Sequence, residues 1–179
     1  MNEGSLTKSH PVWDVYDLHR TARLNAKYYA ARLDSLERYN FWTDFALAVS
    51  ASSTITSLWL WTTPLGQVFW SISGVATAGL SIAKPLLRLT DKIRRMEKVQ
   101  SGYEALDHDL YRLGVHISQG KSYTSQLQKQ FLEAVNRKGL LVRERVEGKE
   151  HRQLKRRFEE EVLRELPVDQ FYVPGEDDK

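Results

Sequence analysis

The chain has 179 residues, 27% of them charged, and a formal charge of +3, which bounds it to one domain, at most with a small second lobe. It has no cysteine, which excludes disulfides, a thiolate nucleophile and a cysteine-based metal site. These averages conceal a segregation: from Phe45 to Ala83 there is no Asp, Glu, Lys or Arg, whereas the flanks are dense in charge.

The first predicted element is a helix from about Pro11 to Asn40, with Leu18, Ala22, Tyr29, Leu33 and Leu36 at roughly helical spacing. Trp13, Tyr16, Tyr28, Tyr29 and Tyr39 read as packing residues. Nothing in this stretch breaks the helix before the uncharged block, so it is expected to run on into it.

The uncharged block is too long for one crossing of a bilayer core about 30 Å thick, which takes roughly 17–25 residues. It divides at Pro64 and Gly66, giving one crossing from Phe41 to Trp61 and a second from Leu65 to Leu86, an antiparallel hairpin. Arg20, Arg23, Lys27, Arg32 and Arg38 precede it, Lys84, Arg88, Lys92, Arg94, Arg95 and Lys98 follow it, and the turn carries no charge, so both termini are expected in the cytoplasm. Trp42 then belongs at the inner interface and Trp59, Trp61 and Trp70 near the outer one, with Lys84 and Arg88 reaching back to the inner headgroups.

Within the hairpin, Ala46, Ser50, Ser53, Thr54, Ser57 and Trp61 share one helical face, and Gln67, Ser71, Gly74, Ala78 and Ser81 share another. Gly74 with Ala78 and Gly79 with Ala83 are small residues at the spacing that lets helices approach closely. Two readings stay open: the polar faces pack the hairpin or an oligomer seam, or they line a water-filled path. Asp44 is either a mouth residue or a solvated carboxylate at the edge.

Beyond the hairpin, Leu86, Leu89, Ile93, Met96, Gln100, Tyr103, Leu106, Leu110, Leu113 and Ile117 recur mostly at threes and fours, a coiled-coil-like seam that ends at a C-cap, Gly120. A further helix is expected from Thr124 to Val146 with Leu127, Phe131, Val135 and Leu141 apolar. A last one spans Glu150 to Leu166, its charges read as a solvated face. The tail around Val173, Pro174 and Gly175 reads as extended.

Catalytic signatures are sparse. The five histidines stand at 10, 19, 108, 116 and 151, and His108 between Asp107 and Asp109 reads as a polar helix surface rather than a metal site. Arg145 and His151 enclose five residues, a spacing similar to the Arg/His pair of HEPN ribonucleases, in which His serves as acid or base and Arg steadies the phosphate.

A basic N-terminal helix, a two-helix hairpin and a long amphipathic helical tail together resemble the SLATT family of bacterial two-transmembrane effectors. The resemblance is closest from Lys84 through Tyr103, Glu104 and Ala105 to Leu113. The chain also resembles the small membrane accessory protein of RNA-targeting CRISPR systems, in which Arg145 and His151 would be the matching pair and which forms an oligomeric pore. Both imply antiphage defence by permeabilising or depolarising the host membrane.

The expectation is therefore an all-α, oligomeric protein of the bacterial inner membrane. An N-terminal cytoplasmic helix spans 1–40, the hairpin 41–88, and a C-terminal cytoplasmic stalk or bundle 89–179. A membrane-tethered HEPN-like ribonuclease and a non-conducting scaffold that recruits a partner are the alternatives. No cofactor is expected. The expected partners are the lipid bilayer, further copies of the chain, and an upstream sensor or a nucleotide- or RNA-linked signal.

Overall fold

The structure, a computed structural model, describes residues 10–52, 75, 78, 79, 81, 82, 88–144, 150–168 and 171–174. The fold is all-α, and among the described residues there is no strand. Four helices are defined there: α1 (Val12–Ser52), α2 (Leu89–Gly120), α3 (Ser125–Arg143) and α4 (Arg152–Glu165). Val75, Ala78, Gly79, Ser81 and Ile82 also have helical backbone.

Helix α1 runs for 41 residues because it contains neither Pro nor Gly. Its start is fixed by His10, whose Nδ1 accepts from the Val12 N–H at 3.3 Å, just ahead of which Pro11 presets a helical φ. Helix α2 ends at Gly120, but the left-handed residue after it is Lys121, at φ 45°. Helix α3 starts at an N-cap, Thr124, whose hydroxyl accepts from the Leu127 N–H at 3.4 Å.

The chain divides into two compact units, Met1–Ala31 with Met96–Lys179, and Arg32–Arg95. The first is a helical bundle. Along α2 its buried residues are Met96, Val99, Tyr103, Leu106, Leu110, Leu113 and Ile117, an unbroken alternation of three and four. That spacing keeps one stripe of the helix facing inward for its whole length. Against it lie Val12, Val15, Leu18 and Ala22 of α1, Ala134 and Leu141 of α3, and Val162 of α4, all buried. Gly102 sits where Leu141 approaches α2 most closely, and a Cβ there would run into the Leu141 Cδ2. In the second unit Leu89 and Thr43 are buried, and the Thr43 hydroxyl donates to the Asn40 carbonyl at 2.7 Å.

One expectation is overturned. Among the described residues no helix is long and apolar enough to cross a membrane, so the assignment to the bacterial inner membrane as a multi-pass protein does not stand. The physical reason is charge. Charge crowds α1 ahead of Phe41, Asp44 stands inside the expected first crossing, of which the described helix carries only Phe41 to Ser52, and α2 carries charge from Asp91 to Arg112. The turn at Pro64 and Gly66 and most of the second crossing lie outside the described residues.

Candidate functional site

The richest chemistry in the bundle begins on one face of α1. His19, Arg23 and Lys27 stand four residues apart, so they form a row along the helix, with Arg20 beside it. Ala22 and Ala26, both buried, keep that side of α1 slim. Asp107 of α2 and Glu161 and Glu165 of α4 converge on the row.

His19 is only 5% exposed. Its Nε2 lies 3.2 Å from Asp107 Oδ1, at ion-pair distance but not aligned as a hydrogen bond, and both atoms are shut off from solvent. The other carboxylate oxygen of Asp107 accepts from Arg23 Nη1 at 2.9 Å. Arg23 Nε in turn donates to Glu165 at 3.3 Å. Lys27 closes the series, donating to Glu161 at 2.5 Å and also to Glu165. One carboxylate thus joins α1 to α2, and two more join α1 to α4.

The charges tune one another. Burial pushes the Asp107 carboxyl up, yet the His19 and Arg23 side chains outweigh it and hold the group below its ordinary 3.8. Glu165 is held below its ordinary 4.5, first by the hydrogen bond from Lys27, against burial and with Arg23 adding to the effect. Burial works against the Lys27 ammonium, but Glu161 and Glu165 overcome it, so its pKa rises above 10.5.

Arg20 extends the site to the tail. Its Nε and Nη2 donate to the Leu166 carbonyl at 2.9 and 2.5 Å, satisfying an oxygen beyond the end of α4. Its guanidinium also lies 4.8 Å over the ring of Phe171. Phe171 stacks on Tyr16 with centroids 4.0 Å apart and meets Trp13 edge-on. The Tyr16 hydroxyl donates to the Tyr172 carbonyl at 2.8 Å, and Val173 is buried. The tail read as merely extended is therefore packed along α1 at Phe171–Val173.

A cleft of about 260 Å³ opens between α2 and α3, floored by Leu113 and Ala134 and rimmed by Arg112, His116, Glu133 and Arg137. Arg137 is tied to Asp109. Among the described residues no group of His, Asp and Glu converges as a metal ligand set.

The sequence-predicted residues fall elsewhere. Arg145 lies outside the described residues, and the exposed His151 caps α4 with its backbone, its N–H donating to the Tyr28 hydroxyl at 3.2 Å. Trp42 is exposed on α1, Ala46 is half-buried there, and Ser50 lies in its last turn. Ala78 and Ser81 are exposed, and Arg88 precedes α2 at φ 44°. Ser53, Thr54, Ser57, Trp59, Trp61, Gln67, Trp70, Ser71, Gly74 and Lys84 lie outside the described residues. Sequence reading missed the network. It took Arg20, Arg23 and Lys27 for flanking charge and Glu161 for a solvated face, although the four-residue spacing of His19, Arg23 and Lys27 is visible in the sequence.

No protein-family model, curated protein or solved structure matches the chain.

Proposed function

We propose that the chain is a helical effector that acts by self-assembly, within the antiphage class its layout resembles. The observation that carries this reading is an apolar stripe on the second unit's part of α1. Phe41 and Trp42 are 61% and 62% exposed, and Phe45 and Val49 continue the same side of the helix. The rings lean on one another, Trp42 to Phe45 at 5.8 Å and Phe41 to Phe45 at 6.3 Å.

Aromatic and aliphatic side chains grouped in this way mark an interaction surface, whereas scattered exposed apolar residues need no explanation. A second copy presents the same stripe and is the simplest complement to it, which is the logic of a two-fold interface. The most elaborate group of charged side chains among the described residues joins α1 to α2 and α4.

Sedimentation of the full chain tests this. The expected result is a particle of at least twice 20.7 kDa that falls to 20.7 kDa in the double variant Trp42→Glu, Phe45→Glu. A wild-type chain that sediments as a monomer at micromolar concentration, or a double variant of unchanged mass, overturns the reading.

A further inference from the structure

Helix α3 carries two apolar stripes, and among the described residues only one has a partner. Leu127, Phe131, Ala134 and Leu141 form the first, with Ala134 and Leu141 buried and Leu141 set against Gly102. Roughly 100° around the helix, Leu132, Val135, Gly139 and Val142 form a second at spacings of three, four and three. Leu132 is 54% exposed and Val142 53%, and Val135 is exposed as well.

Gly139 is the informative residue. A glycine inside a helix weakens it, so its presence calls for something that needs the room. At Gly102 the chain shows what that something is, the side chain of a packed helix. At Gly139 nothing lies within 4 Å of the place a Cβ would take. The second stripe thus has a backbone open to close approach, with an apolar residue on either side of it and no neighbour among the described residues.

Charge narrows the occupant. Helix α3 holds Lys129, Arg137, Lys138 and Arg143 against a single acid, Glu133. Lys129 and Arg143, toward the two ends of the stripe, have no ion-pair partner among the described residues, while Arg137 is tied to Asp109. Pairing α3 with α3 of a second copy would set like charges together.

We infer that the outer face of α3 is a docking surface for an amphipathic helix of a protein partner, apolar along one stripe and acidic along its flanks. The partner's apolar residues would lie over Leu132, Val135 and Val142, its backbone would approach at Gly139, and its acidic flanks would meet Lys129 and Arg143. This surface is independent of the α1 stripe and does not rest on self-assembly.

The probe is a fluorescent synthetic helix of roughly three heptads, with Leu at the seam positions and Glu at the flanks, titrated with the full chain and read by anisotropy. A control peptide carries Lys in place of Glu. The Glu peptide is expected to bind in a salt-sensitive manner and the Lys peptide not to bind. Leu132→Glu, at an exposed position, is expected to weaken binding by about tenfold or more. The charge reversal Lys129→Glu with Arg143→Glu is expected to switch the preference to the Lys peptide, while circular dichroism shows the helical content intact. Failure of the Glu peptide to bind, equal binding of both peptides, or binding unaffected by Leu132→Glu overturns the proposal. A loss of chain mass on Leu132→Glu, in place of a loss of peptide binding, also overturns it, by making this face a contact between copies. The α1 variants should leave peptide binding unchanged, so this proposal and the self-assembly reading fail separately.

Discussion

Arg23 on α1 and Asp107 on α2 meet at 2.9 Å across 84 residues of chain. Asp107 also faces the buried His19, so a single carboxylate answers two basic side chains of α1 that stand one helical turn apart. Asp107 is mostly enclosed while Arg23 is partly open to solvent, a geometry in which removing the base strands the more buried charge.

Asp107→Ala is expected to lower unfolding free energy by about 1–3 kcal/mol, because it removes the carboxylate that faces the buried His19 and leaves Arg23 without its main partner. Arg23→Met keeps the packed stem but leaves the enclosed Asp107 carboxylate without its aligned donor, and should cost more. Urea denaturation of the two variants checks the order, and an equal loss in both contradicts it.

The same network sets a pH dependence. Asp107 and Glu165 both titrate below their ordinary values in the folded chain. Over the interval between folded and unfolded pKa the unfolded chain binds more protons, so stability falls as pH falls. Their contribution is therefore complete above the ordinary 3.8 and 4.5 and is lost as pH drops through the folded values. Lys27 works in the opposite sense: its contribution is complete below 10.5 and is lost as pH rises through the raised folded value. Thermal melts should be nearly flat from mildly acidic to mildly alkaline pH and fall at both ends. Asp107→Asn should flatten the acid limb and leave the alkaline limb in place.

Phe171→Ala is expected to loosen the tail without unfolding the bundle. It removes a ring stacked on Tyr16 and covered by Arg20, worth about 1–3 kcal/mol. Limited proteolysis should then clip the chain after Leu166 faster than in wild type, while circular dichroism keeps its helical signal. Equal clipping rates contradict the packing of the tail.

Two glycines in helices should respond with opposite signs. Gly139→Ala meets nothing and should stabilise the isolated chain by about 0.5–1 kcal/mol through helix propensity. Gly102→Val runs into Leu141, a buried residue of the bundle, and should cost about 1–3 kcal/mol. Thermal denaturation of both variants reads the contrast directly.

What could be seen in advance follows from the range of the forces. The α2 seam was legible because heptad spacing is a local property: Met96, Tyr103, Leu106, Leu110, Leu113 and Ile117 are buried where spacing placed them. Gln100 gives way to Val99, one position earlier in the register, Ile93 is half-buried, and Leu86 lies outside the described residues. Helix α1 was expected to continue past Asn40 and does so, to Ser52, since nothing in it breaks a helix. On α3, Leu127, Phe131, Val135 and Leu141 were read as the apolar residues, but Val135 is exposed and Ala134 beside it is buried. Apolar character alone could not separate the two stripes of that helix. The charge network was not legible because its pairs are long-range. Lys27 and Glu161 are each ordinary surface residues in their own helices, and only the packing of α4 on α1 brings them to 2.5 Å. The sidedness expected for the hairpin read Arg20, Arg23 and Lys27 as flanking charge, whereas these residues bond to α2 and α4 within the bundle.

The pairs between α1 and α4 join residues 134 to 146 positions apart. Such links form only after almost the whole bundle has been synthesised, and closing so large a loop is entropically slow. On the ribosome, Arg23 can meet Asp107 once α2 has emerged, whereas Arg20 and Lys27 wait for α4. Translation that halts before Glu161 therefore leaves Arg20 and Lys27 without the partners that α4 supplies, and the bundle without one of its helices.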